Sequence, residues 1–195
     1  MERYILNSMM CVALLLAGCA GTSRSSRTGE YKNIALNPND IRGPAVTYPH
    51  ATSNSECRNE ICYAAKNVID GNTANRGHGP KFPFWGPDKR TDLWLKIDFG
   101  RPVEADKVVI YIRADFPHDA YWKGGTIEFS DGSKEKISFQ KTAMPQELKF
   151  APRRIEWLRI TDLVQDEPLG WCAFTEVEVW GWKLKVSGRS WQVIN

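Results

Sequence analysis

Leu93-Trp94-Leu95-Lys96-Ile97-Asp98-Phe99-Gly100 is the stretch on which the fold turns. Apolar Leu93, Leu95, Ile97 and Phe99 alternate with Trp94, Lys96 and Asp98, the period-two pattern of a strand with one face in a core. Gly100-Arg101-Pro102 predicts its end. Val108, Ile110 and Ile112 repeat the alternation against Val109, Tyr111 and Arg113. Residues 126–130 and 134–139 flank Asp131-Gly132-Ser133, a hairpin signal. Leu148 with Phe150, residues 155–161, and Val177 with Val179 ahead of Gly181 complete seven or eight short strands. No segment carries a long 3.6-residue apolar stripe, and residues 63–68 predict a helical turn or two. The reading is all-β, a jelly-roll β-sandwich of one domain.

The chain has 195 residues, of which 42% are hydrophobic and 25% charged, which excludes a disordered segment, a coiled coil or a polytopic membrane protein. The formal net charge of +3 is small and its Lys and Arg are scattered, so nucleic acid is not an expected partner. Eight Trp in a chain this size predict a heavily aromatic core or a stacking surface.

Met1-Glu2-Arg3 precedes an apolar stretch from Tyr4 to Leu16 that is short of the ~20 residues a membrane span needs and has the character of a signal-peptide core. It runs into Leu16-Ala17-Gly18-Cys19, which resembles the lipobox of bacterial lipoproteins. The resemblance implies that residues 1–18 are removed and that Cys19 becomes a lipidated N-terminus, which anchors stably because it carries several acyl chains. The n-region is thin, Glu2 offsetting Arg3. Ala20, in place of Asp, points to the outer membrane in the enterobacterial pattern, so the expected address is the bacterial cell envelope, lipid-anchored, periplasmic or surface-facing. Residues 19–30 hold no large apolar side chain and are expected to be a flexible tether. The folded body is expected over 31–182, with 183–195 a last strand or an extension.

Export permits disulfides. Cys57 and Cys62 are the candidate pair, closing a short loop worth roughly 2 kcal/mol in chain entropy; connectivity stays open at this point. Cys172 is then odd and is expected to be a small buried residue beside Trp171. Three Cys without a nearby His spacing point away from zinc.

Ala51-Thr52-Ser53-Asn54, Ala64-Ala65-Lys66-Asn67-Val68-Ile69-Asp70-Gly71-Asn72, Trp85, Trp94 to Gly100, and Thr175-Glu176-Val177-Glu178-Val179-Trp180-Gly181 follow one another in the order seen in the galactose-binding-like jelly roll. Over residues 33–182 the chain resembles the discoidin and coagulation factor 5/8 type C domains and related bacterial carbohydrate-binding modules. That resemblance implies a structural calcium ion. Asp70 and Glu176 would supply charge, and the carbonyls of Asn67, Asn72 and Thr175 with an oxygen of Asn75 would complete an all-oxygen shell. A simple turn at 70–72 is the alternative.

In such modules ligands sit on loops at one end of the sandwich, gripped by an aromatic face and by polar side chains. Two segments have that composition, 76–88 and 113–122, and they contribute His78, Trp85, Arg113, Asp115, His118 and Trp122 as candidates. Trp85 and Trp122 are open to a second reading as sandwich-end packing, and Arg113 with Asp115 as a structural ion pair. Catalysis is not expected. Three His, no Gly-x-Ser-x-Gly and no phosphate loop leave only the Asp115, His118 and Asp119 group as an acid–base set. The expected function is non-catalytic capture of a glycan or polysaccharide by a lipid-anchored envelope protein. A lipoprotein that binds an envelope protein partner is the alternative, and a glycan-active enzyme the least favoured.

Overall fold

The computed structural model describes residues 27–75, 80–116, 118–168 and 170–185. Seven strands form one antiparallel network: β1 (Arg27–Asn33), β2 (His50–Ser53), β3 (Leu95–Ile112), β4 (Trp122–Phe129), β5 (Lys134–Ser138), β6 (Gln146–Gln165) and β7 (Phe174–Leu184). The hydrogen-bonded order is β1-β7-β3-β6-β4-β5, with β2 alongside the first part of β3. This is the expected all-β jelly roll, a single domain around one core. Among the described residues no helix is long and apolar enough to cross a membrane.

Two strands expected on either side of Gly100-Arg101-Pro102 are one. β3 bends there without ending, with Gly100 at φ +66 and a register shift against β6 between Asp98 and Val103. A second shift follows between Ala105 and Lys107. It moves the buried set from odd positions (Leu95, Ile97, Phe99, Val103, Ala105) to even ones (Val108, Ile110, Ile112). One extra residue in a ladder does this, because side chains alternate faces with period two. The extra twist bends β3 and lets one network wrap its own core. β6 likewise joins the two expected stretches 148–150 and 155–161.

The Asp131-Gly132-Ser133 turn connects β4 to β5 as expected. Gly132 supplies φ +85, and the Asp131 carboxylate accepts from the Ser133 amide at 2.9 Å. Residues 57–69 form three short 3₁₀ turns. Two boundaries differ from expectation. β1 starts at Arg27, inside the segment expected as tether, because pairing with β7 satisfies its backbone (Arg27 opposite Leu184). β7 runs through Leu184, so residues 183–184 are the end of a core strand.

One end of the sandwich is closed by an aromatic plug. Trp85 and Trp122 stack at 5.5 Å, and Phe174 sits 4.5 Å from Trp122. Trp85 also bridges to Phe174 through the backbone and donates its indole N–H to Ser55 O at 2.9 Å. On this plug rest the loops that carry the candidate site.

Candidate functional site

Above the plug lies a cavity of about 250 Å³. Tyr63, Phe84 and Trp171 form its apolar wall, and Arg58, His118 and Asp119 its polar side. Tyr63 and Phe84 pack at 5.1 Å. Trp171 is 38% exposed, an unusual position for a large aromatic, with the Lys89 ammonium 4.3 Å from its ring centre.

Asp119 organises the polar side. It is buried, and its Oδ2 accepts from Arg113 Nε at 3.1 Å and from the Asp115 amide at 2.9 Å. Its Oδ1 meets His118 Nδ1 at 2.9 Å. Arg113 is itself 1% exposed, its Nη2 3.4 Å from Asp115 Oδ2 and its guanidinium 4.2 Å from the Phe84 ring centre. The arrangement fixes the ring of His118, whose side chain remains 58% exposed at the cavity. At the opposite lip the backbone turns through two successive left-handed residues, Arg58 (φ 53) and Asn59 (φ 57). Such a conformation costs a non-glycine residue roughly 1 kcal/mol or more. Asn59 is braced by Arg42, whose Nη1 donates to its carbonyl at 2.8 Å, and Arg58 is displayed to solvent.

Of the six expected ligand residues, His118 lines this cavity, and Asp115 is paired with Arg113 beside it in sequence. Trp85 and Trp122 do not present stacking faces to a ligand: at 0% and 1% exposure they are the plug, because large rings at the end of a sandwich exclude water best by packing on Phe174. Arg113 is also no direct ligand group, since it is sealed beneath Asp119 by Phe84. His78 lies outside the described residues, as does Cys19. The expected Cys57–Cys62 bridge is corrected: Cys57, Cys62 and Cys172 are free thiols. Cys62 Sγ faces the Glu60 carboxylate at 3.7 Å, while burial and the neighbouring Asp88 push the Cys57 thiol up. Cys172 is buried as expected, and burial holds its thiol up at about 12.

Sequence reasoning missed Trp171, Arg58, Tyr63 and Phe84. The signal was present for Trp171, a Trp between Gly170 and Cys172 at the approach to β7, which is a loop-end position.

The expected metal residues divide. Asp70 and Glu176 come together around Gly71, whose amide lies 3.3 Å from both Glu176 oxygens. Gly71 holds φ +86, a left-handed conformation that favours glycine, and a Cβ there would meet Leu36 Cδ1 at 2.9 Å. Asp70 Oδ1 accepts from the Asn72 amide at 2.8 Å. Glu176 is 1% exposed, and its carboxyl is pushed up to about 9, first by burial and then by the Asp70 carboxylate. Burial raises Asp70 as well, against the Asn72 amide and Lys66. Thr175 Oγ1 is buried with no hydrogen-bond partner among the described residues. Asn75 is half-buried nearby in sequence, while the Asn72 carboxamide oxygen is used by the Ala74 amide at 3.0 Å. The Asn67 side-chain amide is structural, its Nδ2 donating to Ile61 O at 3.0 Å and Phe84 O at 3.2 Å. Among the described residues no group of three or more His, Cys, Asp or Glu gathers. A buried Glu176 carboxylate with the half-buried Asp70 carboxylate near it suits a hard cation that takes carbonyls, and does not suit zinc.

A family model described as the F5/8 type C domain matches residues 50–177. The chain is also similar to solved carbohydrate-binding modules. Chitosan-binding module 1 from the chitosanase/glucanase of Paenibacillus sp. IK-5 is 20% identical, with a TM-score of 0.55 over 77% of this chain and 99% of that one. A Streptococcus pneumoniae fucose binding module is 17% identical, with a TM-score of 0.55 over 78% and 99%. The family 32 module of C. perfringens NanJ, solved with galactose, is 18% identical, with a TM-score of 0.52 over 67% and 91%. Comparison with curated proteins finds no match. At these identities the likeness establishes the fold.

Proposed function

Since the chain belongs to the F5/8 type C domain family, we propose that it is a non-catalytic carbohydrate-binding protein that captures a glycan in the cavity beneath Trp171. The observation that carries the reading is that partly exposed indole set beside His118, Asp119 and Arg58 around one cavity. A sugar presents C–H faces to an aromatic ring and hydroxyls to charged and amide groups. Trp171, held on one side by Lys89, supplies the first; His118, oriented by Asp119, and Arg58 supply the second. Arg113, Asp115 and the strained 58–59 turn hold these groups in place before a ligand arrives, which limits the ordering cost of binding. Structural neighbours that bind chitosan, fucose or galactose support the class of ligand.

Calcium belongs to the same reading. Asp70, Glu176 and the carbonyls of Asn67, Asn72 and Thr175, with an oxygen of Asn75, would hold it. The ion would neutralise the buried Glu176 carboxylate and the Asp70 carboxylate and fasten the loop at 70–72 to β7, a structural role. The resemblance of residues 16–19 to a lipobox supports the remaining part of this reading, an address in the bacterial envelope with a lipid anchor on Cys19.

A glycan array probed with the protein, in calcium and in chelator, tests the reading. A hit lost in Trp171→Ala and kept in a folded surface variant such as Lys149→Ala supports it. A blank array from well-folded protein overturns it and shifts the function to an envelope protein partner.

A further inference from the structure

The turn at 56–59 is shared by two cavities. Cys57 and Arg58 line the glycan cavity, while Glu56 and Asn59 line a second one of about 350 Å³. Arg58 and Asn59 are successive residues, ~3.8 Å apart at Cα, so the two cavities meet at a single turn. The turn is held in shape from the second cavity. Arg42 Nε stands 2.6 Å from Glu56 Oε2, and its terminal nitrogens donate to the Asn59 carbonyl and carboxamide oxygens. Two successive left-handed residues that are not glycine persist only where their surroundings fix them, and Arg42 does so here.

The charge that each cavity offers has the same sign. In the second, Glu56 Oε1 accepts from the Ala65 amide at 2.8 Å and Oε2 is held by Arg42, so both members of that pair are consumed by protein partners. Asn54 is consumed likewise, donating to Asp92 O at 2.7 Å and accepting from the Trp94 amide at 2.9 Å. Lys66 is different. It is half-buried in the cavity lining and has no side-chain hydrogen bond or ion pair among the described residues, its charge reaching Asp70 without contact. The glycan cavity repeats the pattern. Both Asp119 oxygens are taken up by Arg113, His118 and the Asp115 amide. Arg58 is 71% exposed, with the Glu60 carboxylate at 3.9 Å, beyond hydrogen-bond reach. Lys89 over Trp171 adds a further cation. A half-buried ammonium without a counter-ion carries a desolvation cost that an anionic ligand relieves.

We propose that the two cavities are subsites of one groove, and that its ligand is a linear acidic polysaccharide whose charged groups, carboxylate or sulfate, meet Arg58 on one side of the turn and Lys66 on the other. The inference rests on the glycan reading of the first cavity and names its ligand class, a repeating anionic chain bound along its length in place of a lone terminal sugar. Arg42 is a positioning residue that keeps the turn between the subsites. Joining the two contacts in one chain makes the second an intramolecular event, so affinity grows with chain length.

Isothermal titration of the full chain in calcium tests it. The probes are galacturonic acid and its oligomers of two to six residues, the methyl esters of the same oligomers, and sulfated carrageenan oligomers beside neutral agarose ones. From one residue to four, affinity for a charged series should rise about tenfold or more, and the neutral series should show no such rise. Lys66→Gln should remove the rise, while Lys66→Arg and the remote Lys149→Ala should keep it. Arg58→Asn, whose side chain tolerates the left-handed backbone, should weaken binding at every length. A rise in either charged series supports the proposal, and the series that shows it identifies the anion. An array hit lost in Trp171→Ala, with no rise in either charged series or a rise that survives Lys66→Gln, overturns this inference and leaves the glycan reading standing. Should Lys66→Gln fail to fold, an equal rise with charged and neutral oligomers of the wild type overturns it. A blank array from folded protein overturns both readings.

Discussion

Replacing Glu176 by Gln isolates the chemistry of this buried carboxylate. Glu176 is 1% exposed and its carboxyl sits at about 9, against an ordinary 4.5. In chelator it is therefore protonated in the folded protein and ionised in the unfolded chain at pH 7. The unfolded state binds fewer protons between pH 4.5 and 9, so folding stability falls as pH rises through that window. It is complete below 4.5 and reaches its minimum above 9. From 4.5 to pH 7, at about 1.4 kcal/mol for each pH unit, the loss is roughly 3 kcal/mol, or roughly 6–12 °C of melting temperature for a chain this long. Asp70, raised in the same direction by burial, adds to the slope. Glu176→Gln lacks the main titrating group, so its melting temperature in chelator should be nearly flat with pH and should exceed that of the wild type near pH 8. Calcium reverses the order. It demands both carboxylates ionised, so it should release a proton on binding at pH 7, raise the wild-type melting temperature and leave Glu176→Gln unmoved. The assay is thermal unfolding by circular dichroism from about pH 5 to pH 8, in chelator and in calcium. Parallel wild-type and variant curves in chelator would refute the buried-carboxylate argument, and a variant that still responds to calcium would refute the metal site.

Other outcomes follow from the same packing. Trp171→Ala should abolish glycan binding with the melting temperature shifted by no more than about 2 °C, since Trp171 is not part of the buried core cluster; isothermal titration with the array hit measures the first. Trp85→Ala should cost about 3–5 kcal/mol by removing the plug, and a denaturant midpoint close to wild type would contradict its place in the core. Gly181→Ala should be among the worst small changes in the chain: its Cβ would stand 2.0 Å from Glu104 O and 2.8 Å from Ala105 Cα, forcing β3 and β7 apart. A loss of about 3 kcal/mol in urea unfolding is expected. Cys19→Ser should block acylation and signal cleavage, read by fatty-acid labelling; continued label would exclude the lipobox.

How far the fold was legible depends on the range of the forces involved. Alternation at 93–99 and 108–112 announces strands because each side chain's choice of face is local. The join between them is not local. Two register shifts, at 98–103 and 105–107, keep one strand in step with β6 and β7, and those partners are tens of residues away. The site shows the same division. The loops at 76–88 and 113–122 advertised aromatics, yet Trp85 and Trp122 went inward to stack on Phe174, while Trp171 stayed out. All three are Trp in loop-like surroundings; only the packing on β7 tells them apart. Arg113 and Asp115 looked equally apt for a ligand or an ion pair, and Asp119, buried between Arg113 and His118, decided for the ion pair.

The sequence by itself determined the strand content and the Asp131-Gly132-Ser133 hairpin, which follow from residue chemistry and short-range geometry; the two acidic residues, 106 positions apart, that meet at Gly71 were named by the family resemblance alone. Which indole faces solvent and which thiols stay free were decided only in the tertiary structure. Burial and charge proximity are properties of neighbours in space, and those neighbours are fixed only when the whole sandwich closes on its core.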